Sequence, residues 1–459
     1  MLTKNRNQPL FILAALVILV LPATARPLPG PDARAPDSSK PVKVFILAGQ
    51  SNMQGHAAVS TIDYIGDDPN TAPMLEEMRD RDGTFRLVKD TWISYLTRGR
   101  GTPNGEGIGQ LTAGFGARRD PTKDGGKIGP EFTFGIYMQK SLRQPILIIK
   151  TAWGGKSLHT DFRPPSAGPY AFNESEIASM KKRGRNMEEE RAQKTAATGA
   201  YYRLMIEHVK YVLSDIKRVY PDYDEDQGYE VGGFVWFQGW NDVVNSGVYP
   251  RRGQPGGYDK YSEWLAMLIR DVRRELRAPD MPFVIGVLGT NGPIENVEQR
   301  YRAIHGTFRQ ATAAPAALAE FQGNVIAVPT APYWDMTLDG IAKKRNLLNQ
   351  RKRWLENRVK QGEVAQDEVA TELAEIEAEL ASPGDSAIWE RGASNAAYHY
   401  LGCAKTMALI GKAFAEAMLE LQARRRLHSL SRYLDSVALA PETALDGELL
   451  ERLLPGNAQ

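Results

Sequence analysis

Five short apolar runs, separated by segments of helical period, set the tightest limit on what this chain can fold into. Val42–Leu47, Pro145–Lys150, Gly232–Phe237, Pro282–Leu288 and Val325–Val328 read as buried strands. Between them, Gly129-Pro130-Glu131 opens a helix through Arg143, with Glu131 at the positive end of the helix dipole. Residues 197–219 repeat apolar side chains at Leu204, Ile206, Val209, Val212 and Ile216, and Tyr258–Leu276 and Asn296–Ala313 also read as helices. Strands alternating with helices in this way form an open, mainly parallel sheet in an α/β fold. Such sheets bind ligands beyond the carboxyl ends of their strands, and here each run delivers a polar cluster at that end.

The first run continues into Ala48-Gly49-Gln50-Ser51-Asn52-Met53. A serine just past a strand end, flanked by small and amide residues, is where an acyl-transfer enzyme places its nucleophile. The same residues also suit a tight loop in which Ser51 caps the helix that follows. The second run enters Thr151-Ala152-Trp153-Gly154-Gly155-Lys156-Ser157, whose paired glycines let backbone N–H groups approach a ligand closely. That arrangement fits an oxyanion site or an ordinary strand-to-loop turn. The third delivers Gln238-Gly239-Trp240-Asn241-Asp242.

Composition excludes several classes. A formal charge of +2 gives no general affinity for nucleic acid or anionic surfaces. The single cysteine, Cys403, rules out an intramolecular disulfide framework, and no set of Cys and His has structural-zinc spacing, so neither a metal nor another cofactor is expected. At the start, Lys4 and Arg6 precede the apolar run Leu10–Leu21 and an A-x-A site, which describes a secretory signal peptide over 1–25, cut after Ala25. The run is short for a membrane span, so none is expected after cleavage and the mature protein is expected in the periplasm or outside the cell, an uncleaved anchor being the alternative. Residues 26–41 read as a linker.

Residues 56–128 show little apolar period, and their glycines lack the spacing and strand context of a phosphate loop. Residues 341–381 interrupt the α/β pattern. Positions 341–360 carry eight Lys/Arg and one Glu, whereas 361–380 carry seven Asp/Glu and no base, which predicts two antiparallel helices turning near Gly362. This insertion could be a lid, a contact surface or a self-stabilising hairpin. The domain resumes to 421, with a helix over Cys403–Leu421, and 422–459 reads as a peripheral tail.

Serine hydrolysis needs a base, oxyanion donors and usually an acid that orients the base. Of the six histidines, His208 and His305 fall in helices and His428 in the tail. His56 and His159 follow the serine and glycine clusters. His399, in Ala397-Tyr-His-Tyr-Leu-Gly402 at the start of the last helix, is placed to reach across to Ser51.

These blocks carry a resemblance. GQSNM, GPE at 129–131, AWGG at 152–155, WFQGWND at 236–242 and AYHYLG at 397–402 follow the order of the SGNH-type hydrolases, in their sialate O-acetylesterase-like branch of carbohydrate acetylesterases. The resemblance covers roughly 42–335 and 385–421. It implies a flavodoxin-like three-layer α/β/α sandwich and metal-free removal of acetyl esters from sialate, xylan or another acetylated glycan. Ser51 resembles the nucleophile and His399 the base. The Ser51 N–H, Gly154 or Gly155 and the Gln238 side chain resemble the oxyanion hole, with Gln50, Asn52 and Glu131 completing the substrate site. Two departures stand out. Trp240 replaces the carboxylate of W-x-Q-G-E, and Ala396 stands where an acid often precedes the histidine. The acid is then Asp242 first, with Asp385 and Glu390 as alternatives, or His399 is held by a backbone carbonyl or by Asn395. These departures leave two further readings open. One is a carbohydrate-binding or structural protein on an impaired scaffold, and the other a lipase or thioesterase. Among Trp153, Trp236, Trp240 and Trp334, two are expected to face the cleft, where aromatic rings stack on sugars.

Overall fold

The structure, a computed structural model, describes residues 37–97, 105–117, 126–380 and 382–438. The expected signal peptide, most of the expected linker, part of the glycine-rich stretch, residue 381 and the tail beyond 438 lie outside the described residues. At its centre is a seven-stranded sheet of β1 (Val42–Gly49), β2 (Thr91–Leu96), β3 (Glu106–Gln110), β4 (Ile146–Ala152), β5 (Tyr229–Phe237), β6 (Phe283–Val287) and β7 (Val325–Pro329). The spatial order is β3-β2-β4-β1-β5-β6-β7, and all neighbours run parallel except β2 and β3. The five apolar runs thus make five adjacent parallel strands. The edge hairpin β2–β3 falls in the stretch whose sequence gives no assignment, because Glu106-Gly-Ile-Gly-Gln110 offers neither alternation nor an apolar run.

Helices cover both faces. They are α1 (Glu131–Leu142), α2 (Glu174–Lys182), α3 (Met187–Ala197), α4 (Ala200–Ser214), α5 (Asp259–Glu275), α6 (Gln299–Ala313), α7 (Met336–Lys360), α8 (Gln366–Leu380), α9 (Pro383–Gly392) and α10 (Ala404–Ala438). Because side chains alternate along a strand, Phe45 points to one face, edge-on to Phe134 of α1, while Trp236 points to the other, edge-on to Phe162. On the first face Thr133 Oγ1 of α1 donates to the Ala408 carbonyl of α10 at 2.8 Å. On the second, Tyr261 of α5 packs on Phe308 of α6. This is the three-layer α/β sandwich.

Two glycines explain a local irregularity. Val44 pairs with Val231 but Phe45 with Gly233, so Gly232 is the extra residue of a bulge in β5. A Cβ at Gly232 would stand 2.7 Å from the Phe45 ring, and one at Gly233 2.3 Å from Met418 of α10. The pair lets β5 bend across β1 while α10 lies directly on it.

The charged stretch forms α7 and α8, which turn at Gly362 (φ +74°) and each bury an apolar residue, Leu355 and Val369. Arg351 pairs with Glu372, and Arg358 with Glu363 at 3.0 Å. The last helix is longer than its apolar pattern: Leu421 is its last fully buried residue, yet the helix continues through the basic 424–426 segment, whose side chains are exposed, to Ala438. Among the described residues, no helix is long and apolar enough to cross a membrane.

Candidate active site

Register puts the three loop clusters side by side. Gly49 ends β1 opposite Ala152 of β4 and Phe237 of β5, so Gln50-Ser51, Trp153-Gly154 and Gln238-Gly239 leave the sheet at one level. β1 is also where the chain reverses its direction of growth, which opens a crevice above its carboxyl end. Gly49 has φ +156°, and a Cβ there would lie 2.1 Å from the Phe237 carbonyl oxygen. Only glycine allows this close crossing.

Ser51 begins a single helical turn, Ser51–Gln54, and is 6% exposed. The turn is fixed from below by a buried cation. Lys150 Nζ donates to the Gln54 carbonyl and the Phe115 carbonyl, each at 2.9 Å, and to Glu131 Oε2 at 2.7 Å. Glu131 Oε1 accepts from the Gly129 N–H at 2.9 Å. Glu131 is wholly buried. Its expected place on the substrate is therefore corrected: both oxygens are committed beneath the serine turn, one to Lys150 and the other to the Gly129 N–H.

Gln238 and Asp242 are corrected in the same way. Asp242 is fully buried and accepts from Leu158 N–H (2.8 Å), His159 N–H (3.2 Å), Tyr249 O–H (2.8 Å) and Gln238 Nε2 (2.6 Å). It organises the 157–159 loop and does not reach His399. Gln238, also fully buried, has three acceptors around its Nε2, Asp242 Oδ2 (2.6 Å), Gln50 Oε1 (3.0 Å) and the Lys156 carbonyl (3.1 Å), so its two N–H groups are already shared among three partners and none is left to point at an oxyanion. Gln50 is a strut as well, since its Oε1 also accepts from the Gly239 N–H at 3.0 Å and its Nε2 reaches Asn241 Oδ1 at 3.3 Å. That Nε2 lies 3.5 Å from Ser51 Oγ. His159 is buried between Thr160 Oγ1 (2.6 Å) and Asn245 Nδ2 (3.3 Å), as a packed loop histidine would be.

His399 comes to the serine from the far end of the chain. Asn52 Nδ2 donates to the Tyr398 carbonyl at 3.2 Å and fastens the two loops together. The loop is held by an unusual backbone: Tyr400, Leu401 and Gly402 take φ +53°, +58° and +61° in succession. Two non-glycine residues in this region cost about 1–2 kcal/mol each, and the loop is anchored to match. The Tyr400 hydroxyl accepts from the Gly289 N–H at 2.8 Å and lies 2.6 Å from Thr330 Oγ1, while the Leu401 carbonyl accepts from the Ser394 and Asn395 amides at 2.8 and 2.9 Å.

The partner of His399 is Asn395. Its Oδ1 lies 2.9 Å from His399 Nδ1 and 2.8 Å from the Ala396 N–H. A backbone N–H only donates, so the atom facing it is the amide oxygen, and that oxygen only accepts. Nδ1 of His399 therefore carries the proton, and Nε2 keeps the lone pair. Burial, then the nearby Lys127, pull His399 down to about 4, so the ring is neutral through the physiological range. Asp385 instead pairs with Lys344 at 2.6 Å, and Glu390 is exposed on α9. No hydrogen bond joins Ser51 Oγ to His399 among the described residues, and such contacts are often loose before substrate enters.

Gly154 and Gly155 are exposed beside the serine, and a Cβ on Gly154 would lie 3.9 Å from Ser51 Cβ. Of the four tryptophans, Trp153, Trp236 and Trp334 are buried. Trp240 alone is half-buried, its ring 5.8 Å from the exposed Tyr398, so one tryptophan lines the cleft where two were expected. Lys150, Asn395 and Lys127 are the residues that spacing alone underrates. A lysine closing the apolar run PILIIK was the available signal for the first.

A family model described as SASA, carbohydrate esterase, sialic acid-specific acetylesterase, matches residues 41–319, more than half of the chain and short of the His399 loop. No curated protein sequence matches. Similar solved structures include a carbohydrate acetylesterase from Xanthomonas citri, at 16% identity and TM-score 0.33, over 62% of this chain. This chain spans only 49% of that one. A protein from Arabidopsis thaliana matches at 16% identity and TM-score 0.31, over 63% of this chain and 86% of its own. On the strength of the family match, the chain belongs to the carbohydrate esterase family of sialic acid-specific acetylesterases.

Proposed function

We propose that the protein is a serine esterase that removes O-acetyl groups from a carbohydrate, with Ser51 as nucleophile and His399 as base. The observation that carries this reading is the pairing of His399 Nδ1–H with Asn395 Oδ1 on a loop fastened to Asn52, the residue next to Ser51. It leaves a neutral imidazole with a free Nε2 lone pair close to the serine turn. In the proposed reaction, Nε2 takes the Ser51 proton as Oγ attacks the acetyl carbonyl, then returns it to the departing sugar oxygen; water reverses the sequence to release acetate. The Ser51 and Gly154 amides, which make no other hydrogen bond among the described residues, serve as oxyanion donors. Trp240 and Tyr398 offer a face for the sugar ring. The basic start, apolar run and A-x-A site of residues 1–25 support action after export.

Acetate release from O-acetylated sialic acid, xylan and pectin, by wild type and by Ser51→Ala, tests the proposal. Release from at least one substrate that Ser51→Ala abolishes is the expected result. No release from any of them, with 4-nitrophenyl acetate equally inert, favours the binding-protein reading instead.

A further inference from the structure

The serine turn exits through Gly55 to His56, whose ring lies flat on His399. The ring centroids are 4.0 Å apart and the planes differ by 5°. This placement is built by backbone. Gly55 has φ +89°, and a Cβ there would fall 2.3 Å from Gly129, so the turn admits only glycine and aims the next residue one way. Ala57 then pairs with Ile128 in a two-residue ribbon. The Ala58 N–H donates to Ser394 Oγ at 2.9 Å, and Ser394 Oγ donates to the Gly402 carbonyl at 2.7 Å, which ties the ribbon to the loop that carries His399.

His399 needs such a neighbour. The ring's one hydrogen bond among the described residues, to Asn395, fixes a direction but leaves the ring free to rotate about that line. Tyr398 meets the ring at a steep angle (71°) with centroids 4.5 Å apart and does not lie flat on it. His56 supplies the missing plane. Its buried Nε2 has no hydrogen-bond partner among the described residues, so what the structure preserves is the flat face.

We infer that His56 is a positioning residue for the base: its stacked ring fixes the plane of His399 while Asn395 fixes its direction, and the two together replace an orienting carboxylate. The inference rests on the proposed roles of Ser51 and His399. Among the described residues, the charged and titratable groups facing the stack are Lys127, which acts on both rings, Lys150, which acts on His56 and is itself paired with Glu131, and Tyr398, whose ring meets His399 edge-on. His56 is pulled down to about 3, first by burial and then by a charge on His399. A non-titrating ring at position 56 leaves the titration of His399 in place. Removing the ring instead lets water reach His399 and relaxes the burial that depresses it.

The test compares wild type, His56→Phe, His56→Ala and His56→Leu, with Ser51→Ala as reference, in kcat, KM and pH profile on 4-nitrophenyl acetate. His56→Ala is expected to lower kcat by about tenfold or more through loss of alignment, with KM little changed. Its acid limb should move up from near 4 toward the ordinary histidine range. His56→Phe should restore most of kcat and the limb. His56→Leu fills the space without a flat ring and should behave like His56→Ala, which keeps the test readable if the alanine variant folds poorly. Unchanged kcat in both His56→Ala and His56→Leu, while Ser51→Ala is inactive, overturns the inference and spares the active-site reading. So does a His56→Phe variant as impaired as His56→Ala. Full turnover by Ser51→Ala overturns the active-site reading itself, and the inference with it.

Discussion

Replacing Asn395 by aspartate asks directly what holds His399, the proposed base. The exchange keeps the side-chain shape and puts a negative charge at an atom 2.9 Å from His399 Nδ1. An opposite charge this close raises a histidine pKa by about 1–3. Starting from about 4, the acid limb of activity should therefore move to between about 5 and 7. The sign follows from the role: the base must be neutral, so raising its pKa removes activity on the acid side. With the base titrating near 4, roughly nine-tenths of the enzyme is competent at pH 5; with it near 6, about one-tenth is. At pH 8 both forms are competent, and the new carboxylate stabilises the imidazolium by about 1.4 kcal/mol for every tenfold rise in its proton affinity. Asn395→Asp should thus lose about ninefold at pH 5 and hold or gain at pH 8. Asn395→Ala removes one neutral hydrogen bond worth about 0.5–1.5 kcal/mol, a loss of about 2- to 12-fold. The assay is kcat/KM for 4-nitrophenyl acetate from pH 3.5 to 8.5, with released acetate counted where the ester is unstable. An acid limb unmoved in Asn395→Asp refutes the reasoning. So does a loss in Asn395→Ala near the four orders of magnitude that follow removal of a triad carboxylate.

Three further outcomes follow. Lys127→Met removes a positive charge that disfavours the imidazolium, so the acid limb should rise from about 4, seen as lower activity at pH 4.5 and unchanged activity at pH 7. Asp242→Asn replaces a buried acceptor of four hydrogen bonds by an amide that must aim a donor at donors; thermal or urea unfolding should show a loss of about 2–4 kcal/mol, with the pH profile of the remaining activity unmoved. Lys150→Met leaves Glu131 charged and unpaired in the core and should cost about 3–5 kcal/mol, whereas Lys150→Met with Glu131→Gln together should recover a large part of it, read as the coupling in a double-mutant cycle.

The sheet was legible because β1, β4, β5 and β6 lie inside it, are largely buried on both faces and must read as apolar runs, and the short run Val325–Val328 marks its edge strand β7. The hairpin Thr91–Gln110 was not, since an edge strand rich in glycine needs no such pattern. Helices α2 and α3 were missed for a similar reason: they have no buried residue, and capping at Asn173 and Asn186 defines them instead. In the site, residues fixed by strand register were readable: Ser51, Gly154 and Gln238 follow three strands that end at one level. What side chains do there was not. Asp242 and Gln238 face into the loop packing rather than the crevice because the turn at Trp240–Val243 rotates them inward. Glu131 sits where a helix-dipole argument places a carboxylate, yet its task comes from Lys150, nineteen positions on. The orienting group was offered by the sequence only as one of several, and the turn that brings Asn395 to Nδ1 depends on left-handed residues at 400 and 401, which no propensity favours.

The central claim is that Ser51 is acylated through His399. Intact-mass measurement after rapid acid quench of 4-nitrophenyl acetate turnover, with peptide mapping of the adduct, tests it most directly. A single acetyl mass on the peptide containing Ser51, formed by wild type, absent in Ser51→Ala and strongly slowed in His399→Ala, is the predicted result. Turnover with no acetyl on Ser51 under trapping conditions, or equal acetylation in the His399→Ala variant, would contradict it.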